Sequence, residues 1–362
     1  MAATGIAIAG IAQTSDCLAA HDIGAAARKV FGTSRCQLAP SPDAAPVSHA
    51  PAQPEEERSV ATFKLQVNLV DVFFTVKDKN NNLVPHLNKS DCTVLEDKQP
   101  QTWKSFIAEN NLPLTLGILL DTSGSQQYVL PLEQDAGAQF LERVLKPKDE
   151  AFLLSFDVNV DLLQDYTNSP RTLAHAMAKA EINTAGGNGA AGIPGAGGGT
   201  VPTIGDPKGT LLYDAIYLAS REKLNQESGR KAMIILTDGE DQGSRVKINE
   251  AIAAAQKSNA MIYVILIADT GFYGGWGYSG YSAAKKLSEE TGGRLINVGN
   301  NGRKLQEAFA QIEDELRTQY AGTYTPANSN MDGTFRHLAL ECHGDGLKVQ
   351  TRKGYYAPAP EQ

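Results

Sequence analysis

The chain has 362 residues, 42% of them hydrophobic and 20% charged, with a formal net charge of −8. That length can bury a sizeable core over more than one average domain, and the composition is that of an ordinary globular protein. No block of Lys and Arg marks a nucleic-acid surface, and no run of eighteen apolar residues can span a membrane as a helix.

The N-terminus, MAATGIAIAGIAQTSDCLAAHD, is Ala-rich and mildly apolar, but its first basic residue is Arg28. It fits a weak or truncated secretion signal over residues 1–24 that lacks the usual positive start. Residues 25–60 follow as an Ala/Pro-rich linker. The stretch CQLAPSPDAAPVSHAPAQPEEERS offers almost nothing to bury and is read as disordered.

From residue 61 the texture changes. ATFKLQVNLVDVFFTVKD reads as a strand, KNNN as a turn, and LVPHL, CTVLED and TWKSFIA as further short strands. Near the other end, GTFRHLALECHGDGLKVQTRKGYYAP shows two alternating runs around Gly344-Asp345-Gly346. That spacing predicts a hairpin, with Leu338, Leu340 and Cys342 on one face.

Between these β segments the pattern is α/β. PLTLGILLD, AFLLSF, VDLL, KAMIILTD, AMIYVILIAD and RLINV read as strands. The helices are the stretch from 129 to 145, RTLAHAMAKAE, TLLYDAIYLASREKL, VKINEAIAAAQKS, SAAKKLSEE and a closing KLQEAFAQIEDELRTQY. Apolar strands alternating with amphipathic helices predict a doubly wound, mostly parallel sheet covered on both faces. The reading divides the chain into a β segment over 61–110, an α/β domain over 111–319 and a second β segment over 320–362. The two β segments are each too small to stand alone. They are expected to form one small β-sandwich into which the α/β domain is inserted, or which flanks it.

The first apolar strand runs into Asp121-Thr122-Ser123-Gly124-Ser125. In a doubly wound sheet, ligands gather at the carboxyl ends of the strands. Carboxylate and hydroxyl oxygens spaced by two residues in a tight loop suit Mg²⁺, Mn²⁺ or Ca²⁺ rather than zinc or copper. Taken alone, DTSGS is a weak metal signal and reads first as a helix N-cap loop. Thr210, in Gly209-Thr210-Leu211-Leu212-Tyr213-Asp214, also fits an N-cap, and Asp238, in Leu236-Thr237-Asp238-Gly239, also fits a turn after a strand. All three elements nevertheless fall at the carboxyl end of the sheet, and all offer hard oxygen ligands.

In that order, DTSGS, GTLLYDA and LTDG resemble the metal-ion-dependent adhesion site of the von Willebrand factor A (VWA) superfamily over roughly residues 111–319. The resemblance implies a Rossmann-like VWA domain. It also implies that Ser123 and Ser125 bind the ion directly, that Thr210 does so directly or through water, and that Asp121 and Asp238 act mainly through water. The flanks, VDVFFTVKDKNNNLVPHLNKSDCTVLED and GLKVQTRKGYYAP, resemble the VWA-related domains found widely in acidobacteria.

The function implied is a module that binds through its metal. An ion ringed mostly by neutral hydroxyls stays electrophilic and accepts a Glu or Asp from a protein or matrix partner. The Gly-rich loop from Ala185 to Gly209 and the aromatic loop from Gly271 to Gly280 are candidate specificity loops. A rival is an intracellular VWA scaffold in an AAA+ ATPase-linked complex. The apolar start followed by a Pro/Ala linker favours an extracytoplasmic place. No enzyme is expected. The GxGxxG matches at 187–192 and 275–280 do not follow the first strand of a sheet, and no P-loop or GxSxG elbow occurs. The four cysteines form no CxxC pair and the six histidines no HExxH. Cys92 and Cys342, one in each β segment, fit either a disulfide or two buried thiols.

Overall fold

The computed structural model describes residues 69–108, 112–183, 209–267 and 280–359. The signal-like segment, the linker, residues 61–68, most of the Gly-rich loop and nearly all of the aromatic loop lie outside the described residues.

The chain opens with β1 (Val70–Lys77), β2 (Cys92–Glu96), β3 (Gln99–Gln101) and β4 (Trp103–Ala108). It then enters the α/β part: β5 (Leu114–Asp121), α1 (Leu130–Val144), β6 (Glu150–Phe156), β7 (Val160–Thr167), α2 (Pro170–Met177), α3 (Leu212–Leu218), β8 (Arg230–Thr237), α4 (Ile248–Lys257), β9 (Ala260–Leu266), α5 (Gly280–Thr291), β10 (Leu295–Asn297) and α6 (Gly302–Arg317). It closes with β11 (Tyr320–Tyr324), β12 (Phe335–Cys342), β13 (Lys348–Thr351) and β14 (Gly354–Tyr356).

The central sheet has the order β10-β9-β8-β5-β6-β7. All its pairings are parallel except that of the edge strand β7, which runs antiparallel to β6. Every residue of β5, β8 and β9 is buried, as strands covered on both faces require. Alternate residues feed two cores. Leu114, Leu116, Ile118 and Leu120 pack with residues of α1, α2 and α6, while Leu119, Met233 and Ile235 pack with residues of α3, α4 and α5. The helix after β5 therefore lies on one face and the helix after β8 on the other. The carboxyl ends of these neighbouring strands open a crevice between them, the usual ligand position in such sheets.

The outer strands form two antiparallel sheets, β13-β1-β11-β4 and β14-β12-β2-β3. Each sheet mixes strands from before and after the α/β part. β1 pairs with β11, and β2 with β12. The two sheets share one core of Val72, Phe74, Val94, Trp103, Tyr320, Tyr324, Leu338 and Leu340. Cys92 and Cys342 face each other across β2 and β12 and form a disulfide, joining residues 250 apart.

Several local expectations are corrected. LVPHL is not a strand: within it only Leu83 makes a β-bridge, to Lys77. The Tyr320 hydroxyl takes the place of a ladder, donating to Val84 O (2.6 Å) and accepting from Leu87 N (2.9 Å). The expected hairpin around Gly344–Gly346 does not form. β2 and β14 already take both edges of β12, so the chain crosses to the other sheet and β13 pairs with β1. The closing helix stops at Arg317, and Tyr320 starts β11 as a buried core residue. β3 was not anticipated. It returns from β2 through Asp97 and Lys98, both at positive φ, the geometry of a tight two-residue hairpin.

Candidate metal site

The site is built at the β5/β8 crevice. Asp121, the last residue of β5, is fully buried. Its Oδ1 accepts from Ser123 N (3.0 Å) and its Oδ2 from the Thr237 hydroxyl (2.6 Å), so the carboxylate is clamped between its own loop and the end of β8. The Ser123 and Ser125 hydroxyls lie 3.1 Å apart, and Ser125 Oγ donates to Asp238 Oδ2 at 2.5 Å. Asp121, Ser123, Ser125 and Asp238 are thus brought together by contacts that cross from β5 to β8.

Desolvation, and then the nearby Asp238 charge, push the Asp121 carboxyl up to about 7. Asp121 and Asp238 thus place two buried carboxylates in one crevice, a setting in which a bound cation favours the ionised forms.

Gly239 shapes the second loop. It sits at φ +83°, and a Cβ there would come within 2.5 Å of Gly280 O at the start of α5. The turn is sealed by Glu240, whose Oε1 accepts from Gly280 N (2.8 Å).

Thr210 lies beside this loop and is nearly buried. Gln242 N donates to Thr210 O (3.0 Å). A Cβ on Gly209 would meet Gln242 Cβ at 2.4 Å, and one on Gly243 would meet Gly209 O at 2.9 Å, so the two segments approach closely only because both positions are glycine. Among the described residues, no hydrogen bond joins the Thr210 hydroxyl to Ser123 or Ser125. Its placement rests on the backbone.

Asp157, which follows β6 and is not singled out by the sequence, brackets the site. It accepts from the Thr122 hydroxyl at Oδ2 (2.7 Å) and from Asn159 N (3.0 Å) and Asn183 Nδ2 (3.1 Å) at Oδ1. Its carbonyl accepts from Leu211 N (2.8 Å), next to Thr210. Thr237 was likewise not singled out, although the LTDG motif contains it.

The donor set is all oxygen: hydroxyls of Ser123, Ser125 and Thr210, and carboxylates of Asp121 and Asp238. That fits Mg²⁺, Mn²⁺ or Ca²⁺. No group of three His, Cys, Asp or Glu residues with metal-holding geometry occurs among the described residues, so hydroxyls must complete any shell. Beside the crevice runs a groove of about 600 Å³, lined by Val158, Leu211, Asp214, Tyr217, Leu218 and Arg245 among others.

No family model matches the chain, and no curated protein matches it. Among solved structures, it is similar to the conserved hypothetical protein BatB from Bacteroides thetaiotaomicron (17% identity over 56% of this chain and 99% of that chain, TM-score 0.41). It is also similar to the SpRpn10 VWA domain (15% identity over 55% of this chain and 95% of that chain, TM-score 0.38). A third likeness is to proximal thread matrix protein 1 from the mussel byssus, described with a zinc-occupied MIDAS motif (16% identity over 61% of this chain, TM-score 0.43); the match spans about half the length of that protein (50%).

Proposed function

We propose that residues 111–319 form a VWA-type domain whose Asp121, Ser123, Ser125, Thr210 and Asp238 hold Mg²⁺, or Mn²⁺ or Ca²⁺ in its place, and that the ion serves to bind an acidic residue of a protein or matrix partner. The observation that carries this reading is the oxygen chain Ser123–Ser125–Asp238, closed across the β5/β8 crevice beside the clamped Asp121. When bound, the cation supplies an electrophile that takes one anionic oxygen from the partner. The chain's own residues set its surroundings. Asp121 and Asp238 supply negative charge, the serines supply neutral ligands, and Asp157 fixes the Thr122 and Leu211 segments on either side.

A binding role is favoured over a metal-dependent hydrolase by the two acids nearest the site. Glu240 accepts from Gly280 N through Oε1, and Asp241 from Tyr213 N (3.1 Å) and the Ser244 hydroxyl (2.5 Å) through Oδ1, which gives both acids a structural part in the loop after β8. An extracytoplasmic place is favoured over the intracellular scaffold by the Cys92–Cys342 disulfide, since such bonds persist in oxidising compartments.

The test is a binding screen against extracellular and surface proteins, run with Mg²⁺, with EDTA, and with Asp121→Ala. Partners retained only by the wild-type chain with Mg²⁺ support the reading. Binding indifferent to both EDTA and the substitution would sink the metal bridge.

A further inference from the structure

The DTSGS loop leads directly into α1, and its backbone hydrogen bonds run without a break. Gln126 N donates to Ser123 O (3.0 Å), Val129 N to Gln126 O (3.0 Å) and Glu133 N to Val129 O (3.1 Å). Glu133, in the first turn of the helix, has no exposed surface at all. Neither of its carboxylate oxygens has a hydrogen-bond partner, and no cation pairs with it among the described residues. A buried, unpaired carboxylate is among the costliest groups a fold can hold, and it is retained where something else satisfies it.

A second buried acceptor lies on the same segment. Gln126 is 1% exposed, and its amide nitrogen makes only long contacts to Ser125 Oγ (3.4 Å) and Ile267 O (3.5 Å). Its Oε1 has no partner. The stretch that carries Ser123 and Ser125 therefore also carries three orphan acceptor oxygens, which only a donor or a cation can satisfy. Burial first, and then the charges of Asp121 and Asp238, hold the Glu133 carboxyl well above the usual range, so Glu133 shares the electrostatic environment of those two acids. Yet the three do not form a cluster spaced for direct ligation.

We propose that Glu133, together with Gln126 Oε1 on the same segment, is part of the cation site and accepts hydrogen bonds from water carried by the ion behind Ser123 and Ser125. Glu133 is then a positioning residue for the metal, in the first turn of the helix that follows the DTSGS loop. This rests on the metal-binding reading above. Groups that orient metal-bound ligands in this way commonly govern 10- to 100-fold in affinity.

The experiment is titration of the full chain with Mg²⁺ and with Mn²⁺ by calorimetry, paired with urea unfolding in EDTA, for wild type, Glu133→Gln, Glu133→Leu and Asp121→Ala. The expected result is at least about tenfold weaker metal binding in Glu133→Gln, with stability in EDTA equal to or above wild type because an uncompensated buried acid has gone. Wild-type affinity in Glu133→Gln, or a loss of stability in EDTA without loss of metal affinity, would overturn the inference while leaving the metal site standing, provided Asp121→Ala abolishes binding. A wild-type chain that takes up neither metal would overturn the inference and the metal site together.

Discussion

The Thr122 hydroxyl donates a 2.7 Å hydrogen bond to the Asp157 carboxylate, whose backbone carbonyl in turn accepts from Leu211 N at 2.8 Å. One residue at the end of β6 thus joins the loop bearing Ser123 and Ser125 to the segment bearing Thr210. Asp157→Ala takes the acceptor from Asn159 N and Asn183 Nδ2 and leaves the Thr122 hydroxyl only its longer bond to Phe156 O (3.4 Å). The expected cost is about 2–4 kcal/mol of stability, from one to three lost buried hydrogen bonds. Metal affinity should fall with it, because the loop bearing Ser123 and Ser125 loses the side-chain tie from Thr122 to Asp157, while the backbone bond to Leu211 N survives the substitution. Urea unfolding and Mg²⁺ calorimetry check both, and an unchanged Mg²⁺ affinity would show that Asp157 holds only the fold.

The Cys92–Cys342 bond closes a separation of 250 residues that contains the whole α/β part. Chain-entropy reasoning gives such a closure about 5 kcal/mol at most, and typical values are about 2–4 kcal/mol. Reduction, or Cys92→Ser with Cys342→Ser, should destabilise the sandwich by that order. Trp103 is a local reporter, since it lies in the sandwich core with Nε1 donating to Cys92 O (2.9 Å). In a Trp276→Phe background, Trp103 fluorescence should report an earlier urea midpoint after reduction. An unmoved midpoint would mean that the outer sheets hold without the covalent tie.

The central sheet was legible because its inner strands β5, β8 and β9 are buried throughout and its helices carry period-3.6 stripes. In α6, for instance, Leu305, Ala308, Phe309, Ile312 and Leu316 are all buried. Asp121, Ser123, Ser125 and Asp238 were legible because strand-end loops in such sheets converge. What failed to show was non-local. Tyr320 looks like the end of an amphipathic helix, yet its ring stacks on Phe74 (5.2 Å between centroids) and its hydroxyl ties down residues 84–87. The Gly344–Gly346 turn has hairpin chemistry, but pairing depends on which edges of β12 are already taken, and local sequence does not encode that. Asp157 and Glu133 escaped for a similar reason: their roles come from what surrounds them in space.

The sandwich and the α/β part share a buried ion cluster. Glu315 on α6 pairs with Lys77 at the end of β1 (2.6 Å) and with Arg294 before β10 (3.1 Å), and it accepts from Gln350 Nε2 on β13 (3.3 Å). Removing the carboxylate strands a nearly buried Lys77 and leaves Arg294 with only the Gln311 Oε1 acceptor (2.6 Å). Glu315→Ala should therefore cost about 3–5 kcal/mol, as is usual for breaking one side of a buried pair. Lys77→Met with Glu315→Leu should recover part of that loss. A double-mutant cycle by urea unfolding measures the coupling, and additive losses would deny it.

The buried acids also set a pH signature for the metal-free protein. Asp121 ionises near 3.8 when unfolded and near 7 when folded, chiefly through desolvation. Between those values the folded state holds a proton that the unfolded state has released. Stability must therefore fall as pH rises through that window, by an amount on the order of a few kcal/mol at most. In EDTA the wild-type chain should be more stable near pH 5 than near pH 8, relative to Asp121→Asn, which has no such proton to lose. Mg²⁺ should reverse the penalty, since a bound cation favours the ionised carboxylates, and its stabilising effect should be larger at pH 8 than at pH 5. The check is urea unfolding of both chains at the two pH values, with and without Mg²⁺. Parallel pH profiles for wild type and Asp121→Asn in EDTA would show that the Asp121 carboxyl carries no such strain.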